Sequence, residues 1–164
     1  MVCQGITVFS IGVGDGPDQA ELRAIASDPD FTHVFSVNNF NSLSQIKASL
    51  QKRACEAKPA FRCGGKADIM FLLEISDSVG PQNLGLASQF VPDVAKDFFV
   101  GADNVQIGLA TFSSGFSQVF TLGQNNQRLS LEDALDHVTF TGGLDTNTGE
   151  AIKNMREQSF TTSA

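Results

Sequence analysis

The sequence has no tryptophan and no tyrosine, although it carries 14 phenylalanines. Few rings therefore carry a polar tip, and the aromatic set suits dry packing. No apolar run approaches the ~18 residues needed to span a bilayer, which argues against membrane insertion. Positive charge is scarce. Eleven Lys and Arg stand against 18 Asp and Glu, for a net charge of −7. Neither a nucleic-acid backbone nor an anionic membrane would be attracted to such a surface. There are three cysteines and two histidines, but no C-x-x-C pair. His33 and His137 lie far from the cysteines in sequence, so no zinc site is expected. The N-terminus lacks a basic segment and a signal-type apolar stretch. On that reading the chain is either cytosolic or starts inside a longer one.

What is present points to a globular α/β chain. Its 164 residues are the length of one ordinary domain, with 41% apolar and 18% charged residues. Ile6 to Val13 reads as a buried strand closed by a Gly-Asp-Gly-Pro turn. A short helix follows from about Ala20 to Ala26, with Asp18 and Glu21 favouring its start. His33 to Val37 reads as a second strand, and a helix runs to about Arg53 with Leu43, Ile46 and Leu50 at helical spacing. Residues 54–66 hold Pro59, Gly64 and Gly65 without periodicity, and read as a linker. The pattern then restarts with the nearly all-apolar strand Asp68–Leu73, a helix from Gln82 to Phe99 containing Pro92, and a strand at Val105–Phe112. Gln118–Phe120 suits a short antiparallel partner, and helices are expected at Leu129–Asp136 and Gly149–Ser159. Strands alternating with helices imply a Rossmann-like, mostly parallel sheet with helices on both faces. Ligand sites in such sheets lie at the carboxyl ends of strands.

The loop after Leu73 reads Glu74-x-Ser76-x-Ser78. Alternating oxygen side chains on a tight loop can converge on one hard cation such as Mg²⁺, and Thr146-Asn147-Thr148-Gly149, which precedes a helix, offers another hydroxyl. The other reading is that Ser76 and Ser78 cap the following helix. Gly12-x-Gly14-x-Gly16 lacks dinucleotide-loop spacing and reads as a turn. Cys55 and Cys63 flank a short polar segment, so a small disulfide loop is possible there, as are unrelated thiols.

At these residues the sequence resembles the von Willebrand factor type A family. That family's metal-ion-dependent adhesion site has D-x-S-x-S after the first strand, a threonine in a G-G-x-T-x-T-G loop, and an aspartate after the fourth strand. Glu74, Ser76 and Ser78 stand at the first motif, with Glu in place of Asp. Thr146 in Thr146-Asn147-Thr148-Gly149 stands at the threonine position, and Gly142-Gly143 lies one residue further upstream than usual. Gly5-Ile6-Thr7-Val8-Phe9-Ser10-Ile11-Gly12-Val13-Gly14 is similar to the family's fifth strand, and His33 to Phe40 to its sixth strand. The wording is nearest the extracellular-matrix branch, especially collagen VI-like alpha chains.

The order of these phrases implies a fragment across two tandem modules. Residues 1–53 match the C-terminal part of one domain, 54–66 a linker, and 67–164 the N-terminal part of a second. The fourth strand and its metal-binding aspartate are then missing. The resemblance implies a secreted, non-enzymatic adhesion and assembly module, binding matrix proteins, collagens or cell-surface receptors. It also implies a degenerate metal site at Glu74, Ser76, Ser78 and Thr146, possible Mg²⁺ in the parent chain, and a Cys55–Cys63 disulfide. The alternative is an intracellular nucleotide-binding enzyme. Without a fourth strand, Ile6–Val13 and Asp68–Leu73 each have a bare apolar edge. They are expected to close on each other as one five-stranded sheet, because that would pair their backbone groups.

Overall fold

The backbone of Val8 is taken up by Ser27. Its N–H donates to Ser27 Oγ at 3.0 Å, and its carbonyl accepts from the Ser27 N–H at 3.0 Å. Those groups are then unavailable to a neighbouring strand. In the computed structural model of the chain, the first strand (β1) accordingly covers Ser10–Val13 and not residues 6–13. The structure describes residues 6–56, 66–139 and 141–160. The chain divides into two units, residues 1–61 and 62–164.

In the first unit, β1 is followed by helix α1 (Gln19–Ile25). Asp18 starts it by accepting from the Ala20 N–H at 2.8 Å, which satisfies one orphan donor of the first turn. Ser10 Oγ donates to the Leu22 carbonyl at 2.8 Å and ties the helix to β1. Asp28-Pro29-Asp30 ends α1 as expected, but Asp30–His33 then form a short helix, α2, that the sequence pattern did not announce. Strand β2 (Val34–Val37) pairs parallel with β1, Ser10 opposite Val34 and Val13 opposite Val37. Asn39 Oδ1 accepts from the Ser42 N–H at 3.1 Å, opening a 3₁₀ turn at Phe40–Ser42 that leads into α3 (Leu43–Glu56). Leu43 and Leu50 on α3 are buried with Phe35 and Val37. The Arg53 guanidinium lies 5.0 Å over the Phe35 ring, a cation–π contact.

The second unit begins with β3 (Ala67–Glu74), then α4 (Gly80–Ala95) and β4 (Val105–Phe112). β3 and β4 are parallel over their whole length, Ala67 opposite Val105 and Glu74 opposite Phe112. β5 (Phe116–Phe120) returns antiparallel to β4 with an irregularity at Leu109/Ala110, and is two residues longer at its start than its apolar pattern suggested. Helices α5 (Arg128–Asp136) and α6 (Thr148–Gln158) complete the unit. β4 is the interior strand: Val105, Ile107, Leu109 and Ala110 are at most 1% exposed. α4 buries Leu84, Ala87, Phe90, Val91, Val94 and Ala95, a stripe at helical spacing, and runs through Pro92. It stops at Ala95, four residues short of the expected end, and Phe99 is 70% exposed.

The architecture is α/β, with parallel pairing in two of the three ladders among the described residues and helices alternating with the strands. The expected merged five-stranded sheet is not found among the described residues. β1 bonds to β2 and β3 to β4, as a two-stranded and a three-stranded sheet, and no β1–β3 ladder exists among the described residues. The strands also differ from the expectation in length and in backbone partners. β1 has four residues against eight in β3, and Val8 upstream of it is already bonded to Ser27. The Cys55–Cys63 pairing lies outside the described residues.

Candidate functional site

β3 ends at Glu74, and the chain is held at that point by Ile75. Ile75 is 5% exposed, and its N–H donates to the Phe112 carbonyl at 2.8 Å. The Val79 and Gly80 N–H groups then turn back onto the Ser76 carbonyl at 3.0 and 3.5 Å. Gly80, with φ of 73°, lets the chain turn into α4.

This turn gathers the alternating side chains. Ser76 Oγ donates to Glu74 Oε1 at 2.5 Å, and the Ser76 and Ser78 hydroxyls are 2.7 Å apart. The single Ser76 proton goes to the carboxylate, so Ser78 is the donor in the second bond. Across 72 residues of chain, Thr146 Oγ1 donates to the same Glu74 Oε1 at 3.1 Å. All four side chains singled out in the sequence are thus joined in one line, Ser78–Ser76–Glu74–Thr146. Ser76 forms the closed floor at 2% exposure, while Ser78 and Thr146 are exposed at the rim. The helix-capping alternative for the serines is not what the structure adopts. α4 has Val79 at its N-cap and no side-chain cap.

The donors are all oxygen, in the type and spacing that suit a hard cation. Adjacent ligands of an octahedral Mg²⁺ lie about 3 Å apart, given bonds of about 2.1 Å. The oxygen–oxygen separations of 2.5–3.1 Å along the line are of that order. Charge is the deficit. One carboxylate stands among three hydroxyls, and no group of three His, Cys, Asp or Glu able to hold a metal occurs among the described residues.

Three residues that the sequence reading passed over hold the second loop in place. Asp77 exchanges two hydrogen bonds with Gly143: its N–H donates to the Gly143 carbonyl at 2.9 Å, and its Oδ1 accepts from the Gly143 N–H at 3.2 Å. Ser113 Oγ donates to the Gly142 carbonyl at 3.2 Å, and the Ser113 carbonyl accepts from the Asn147 N–H at 2.9 Å. Asn147 Nδ2 donates to the Ser114 carbonyl at 2.8 Å. Asp77 sits at a free position inside the E-x-S-x-S phrase, and Ser113 and Ser114 lie in the turn between β4 and β5.

The other sequence candidates serve the backbone. Gly14, with φ of 82°, donates its N–H to the Val37 carbonyl at 2.8 Å, which is a turn. His33 Nδ1 lies 3.1 Å from the Pro29 carbonyl. His137 Nδ1 lies 2.6 Å from the Asp133 carbonyl, and this bond, with the Asp133 charge, raises its pKa above the usual value.

A sequence profile of the von Willebrand factor type A domain matches residues 1–49 and 68–164. The chain belongs to that family. Its relatives include the collagen alpha-4(VI) chain of Mus musculus, 33% identical over 96% of this chain and 7% of that protein. Matrilin-1 of Mus musculus is 27% identical over 98% of this chain and 40% of that protein. The chain therefore spans well under half of the length of either. Among solved structures, proximal thread matrix protein 1 from the mussel byssus, with a zinc-occupied MIDAS motif, superposes with a TM-score of 0.60 at 31% identity. That match covers 96% of this chain and 40% of the mussel protein. The collagen VI and matrilin relatives are secreted extracellular-matrix proteins. None of the comparisons supports the nucleotide-binding enzyme. Among the described residues no helix is long and apolar enough to cross a membrane.

Proposed function

We propose that this von Willebrand factor A chain is a non-enzymatic adhesion and assembly module of the extracellular matrix, binding protein partners within a collagen VI-like chain. Its partners are matrix proteins, collagens or cell-surface receptors. The observation that carries the reading is the meeting of Glu74, Ser76, Ser78 and Thr146 at the carboxyl end of β3. Its matrix relatives supply the biological setting.

Glu74, Ser76, Ser78 and Thr146 are the residues that would hold a Mg²⁺ ion. The ion would supply a Lewis-acidic point for a partner's acidic side chain. The mussel relative, with zinc at the corresponding motif, supports divalent binding at this place in the fold. The chain's own residues limit the affinity. Glu74 Oε1 is shared by two hydroxyl donors that a cation would have to displace, and no second carboxylate joins the line. The Glu side chain also reaches about one methylene further than Asp, in a site where Mg²⁺ tolerates little distortion. The surfaces that bind partners are therefore largely independent of metal.

Residues 1–53 and 67–164 are read as parts of two successive modules, joined by a linker that a Cys55–Cys63 disulfide closes in secreted material. Mass spectrometry of non-reduced peptides from secreted parent protein should recover the linked pair, and free thiols at both positions would contradict it.

Surface plasmon resonance over immobilised collagens and matrix proteins tests the function. Saturable binding that survives EDTA is expected. Binding to none of these surfaces, together with a nucleotide-dependent thermal shift, would overturn the reading.

A further inference from the structure

The two arms of the candidate site come from loops far apart in sequence, and Asp77 joins them. It lies between Ser76 and Ser78 but does not enter their hydrogen-bonded line. Its carboxylate turns to the other loop and accepts from the Gly143 N–H, while its own N–H donates to the Gly143 carbonyl. This reciprocal pair spans 66 residues of chain.

Gly143 is suited to such a close approach. Its φ is 153°, and a Cβ built there would come within 2.7 Å of Ser113 Cβ. Ser113 in turn holds the Gly142 carbonyl. The segment is thus fixed from two sides just three residues before Thr146. Among the described residues the Thr146 side chain bonds to Glu74 alone, and Thr146 is exposed. An exposed hydroxyl on a loop keeps such a geometry only if its backbone is held.

We infer that Asp77 is a positioning residue, which clamps the Gly142–Thr146 segment so that Thr146 Oγ1 stands at Glu74 before any cation or partner arrives. This rests on the reading of Glu74, Ser76, Ser78 and Thr146 as one site. The clamp uses the Asp77 oxygen as a hydrogen-bond acceptor and not its charge, so an amide side chain of the same shape should serve as well.

The test is ¹H–¹⁵N NMR on the full chain and on its Asp77→Asn, Asp77→Ala and Thr146→Ala variants, without metal and then with Mn²⁺, a paramagnetic ion for oxygen sites. Without metal, Asp77→Ala should speed amide exchange at Gly143 about tenfold, the worth of one ordinary hydrogen bond. Asp77→Asn should stay within about twofold of the native chain, well inside that tenfold effect. With millimolar Mn²⁺, broadening at Thr146 should fall in Asp77→Ala as it does in Thr146→Ala, and persist in Asp77→Asn. Three results overturn the clamp: unchanged Gly143 exchange in Asp77→Ala, undiminished broadening at Thr146 in that variant, or equal loss in Asp77→Asn and Asp77→Ala, which would make charge the agent. If Mn²⁺ broadens nothing around Glu74 in the native chain, the cation reading of the site fails. The clamp is then judged on Gly143 exchange alone.

Discussion

Residues 6–56 and residues 66–160 follow the same alternation of strand and helix, but they bury their chains to different depths. The first region has two four-residue strands, and its buried apolar residues are Phe35, Val37, Leu43 and Leu50, each 6–8% exposed. The second has two eight-residue strands, and Val91, Val105, Ile107, Leu109, Ala110 and Leu131 are at most 1% exposed. A strand buries its side chains fully only when it has neighbours on both edges and cover on both faces. β4 has neighbours on both edges, β3 and β5. β1 and β2 have only each other among the described residues. β3 shows the same rule within the second region. Its run Ile69 to Leu73 is as apolar as β4, yet these residues are only part-buried, because one edge has no partner among the described residues. The candidate site is built on the better-buried region, where Ile75 and β4 give its loops a fixed base.

The contrast predicts unequal costs of core truncation. Leu109→Ala should destabilise the second region by about 3 kcal/mol, in the usual range for a fully buried leucine. Leu50→Ala in the first region should cost about 2 kcal/mol, since its surroundings can collapse more readily. Urea denaturation followed region by region by NMR measures both. An equal or larger cost for Leu50→Ala would break the contrast.

A smaller effect is expected at a helix start. Removing the Asp18 cap by Asp18→Ala should cost α1 about 1 kcal/mol. In so short a helix the loss should appear as faster amide exchange over Gln19–Ile25, with the second region unaffected. Protection lost across residues 66–160 as well would mean that the two regions unfold together.

The smallest effect concerns the exposed pair Lys66–Asp103, 2.7 Å apart in the second region. The hydrogen bond from Lys66 lowers the Asp103 pKa, and the lysine charge adds to it. The sign follows from a folded pKa below the unfolded one. The pair's contribution is present above the unfolded carboxylate value and is lost as pH falls through the lowered folded value. Solvent screening keeps it slight. Carboxyl NMR should place the Asp103 midpoint below that of an ordinary aspartate, and Lys66→Ala should return it to the usual range without moving the melting temperature. A midpoint unmoved by that substitution would remove the pair from the account.

The sequence revealed most where one signal spoke alone. β4 was read with its true ends because Val105–Phe112, mostly apolar and rich in strand-forming residues, is set between polar turns. α2 was missed because Asp28-Pro29-Asp30 signals only a break, and a four-residue helix has no room for periodicity. β1 was drawn too long because Ile6–Phe9 has strand composition. Its backbone partner, Ser27, is a tertiary contact that composition does not encode. The same division holds at the site. Residue spacing located Glu74, Ser76 and Ser78, which lie on one loop, and family likeness located Thr146. Asp77 with Gly143, and Ser113 with Gly142, are pairings between distant segments of chain, visible only once the loops are folded. The merged sheet failed for a related reason. An unpaired apolar edge states a need, but it does not name the strand that meets it.

The central claim is that four oxygen side chains assemble at the end of β3 without enough charge to hold a cation firmly. Calorimetric titration of Mg²⁺ into the native chain and into Glu74→Asp tests it most directly. The account predicts no micromolar site in the native chain, and a measurable gain in affinity when Asp draws the carboxylate back by about one methylene, toward the geometry Mg²⁺ demands. A micromolar Mg²⁺ site in the native chain, abolished by Glu74→Ala, would contradict it.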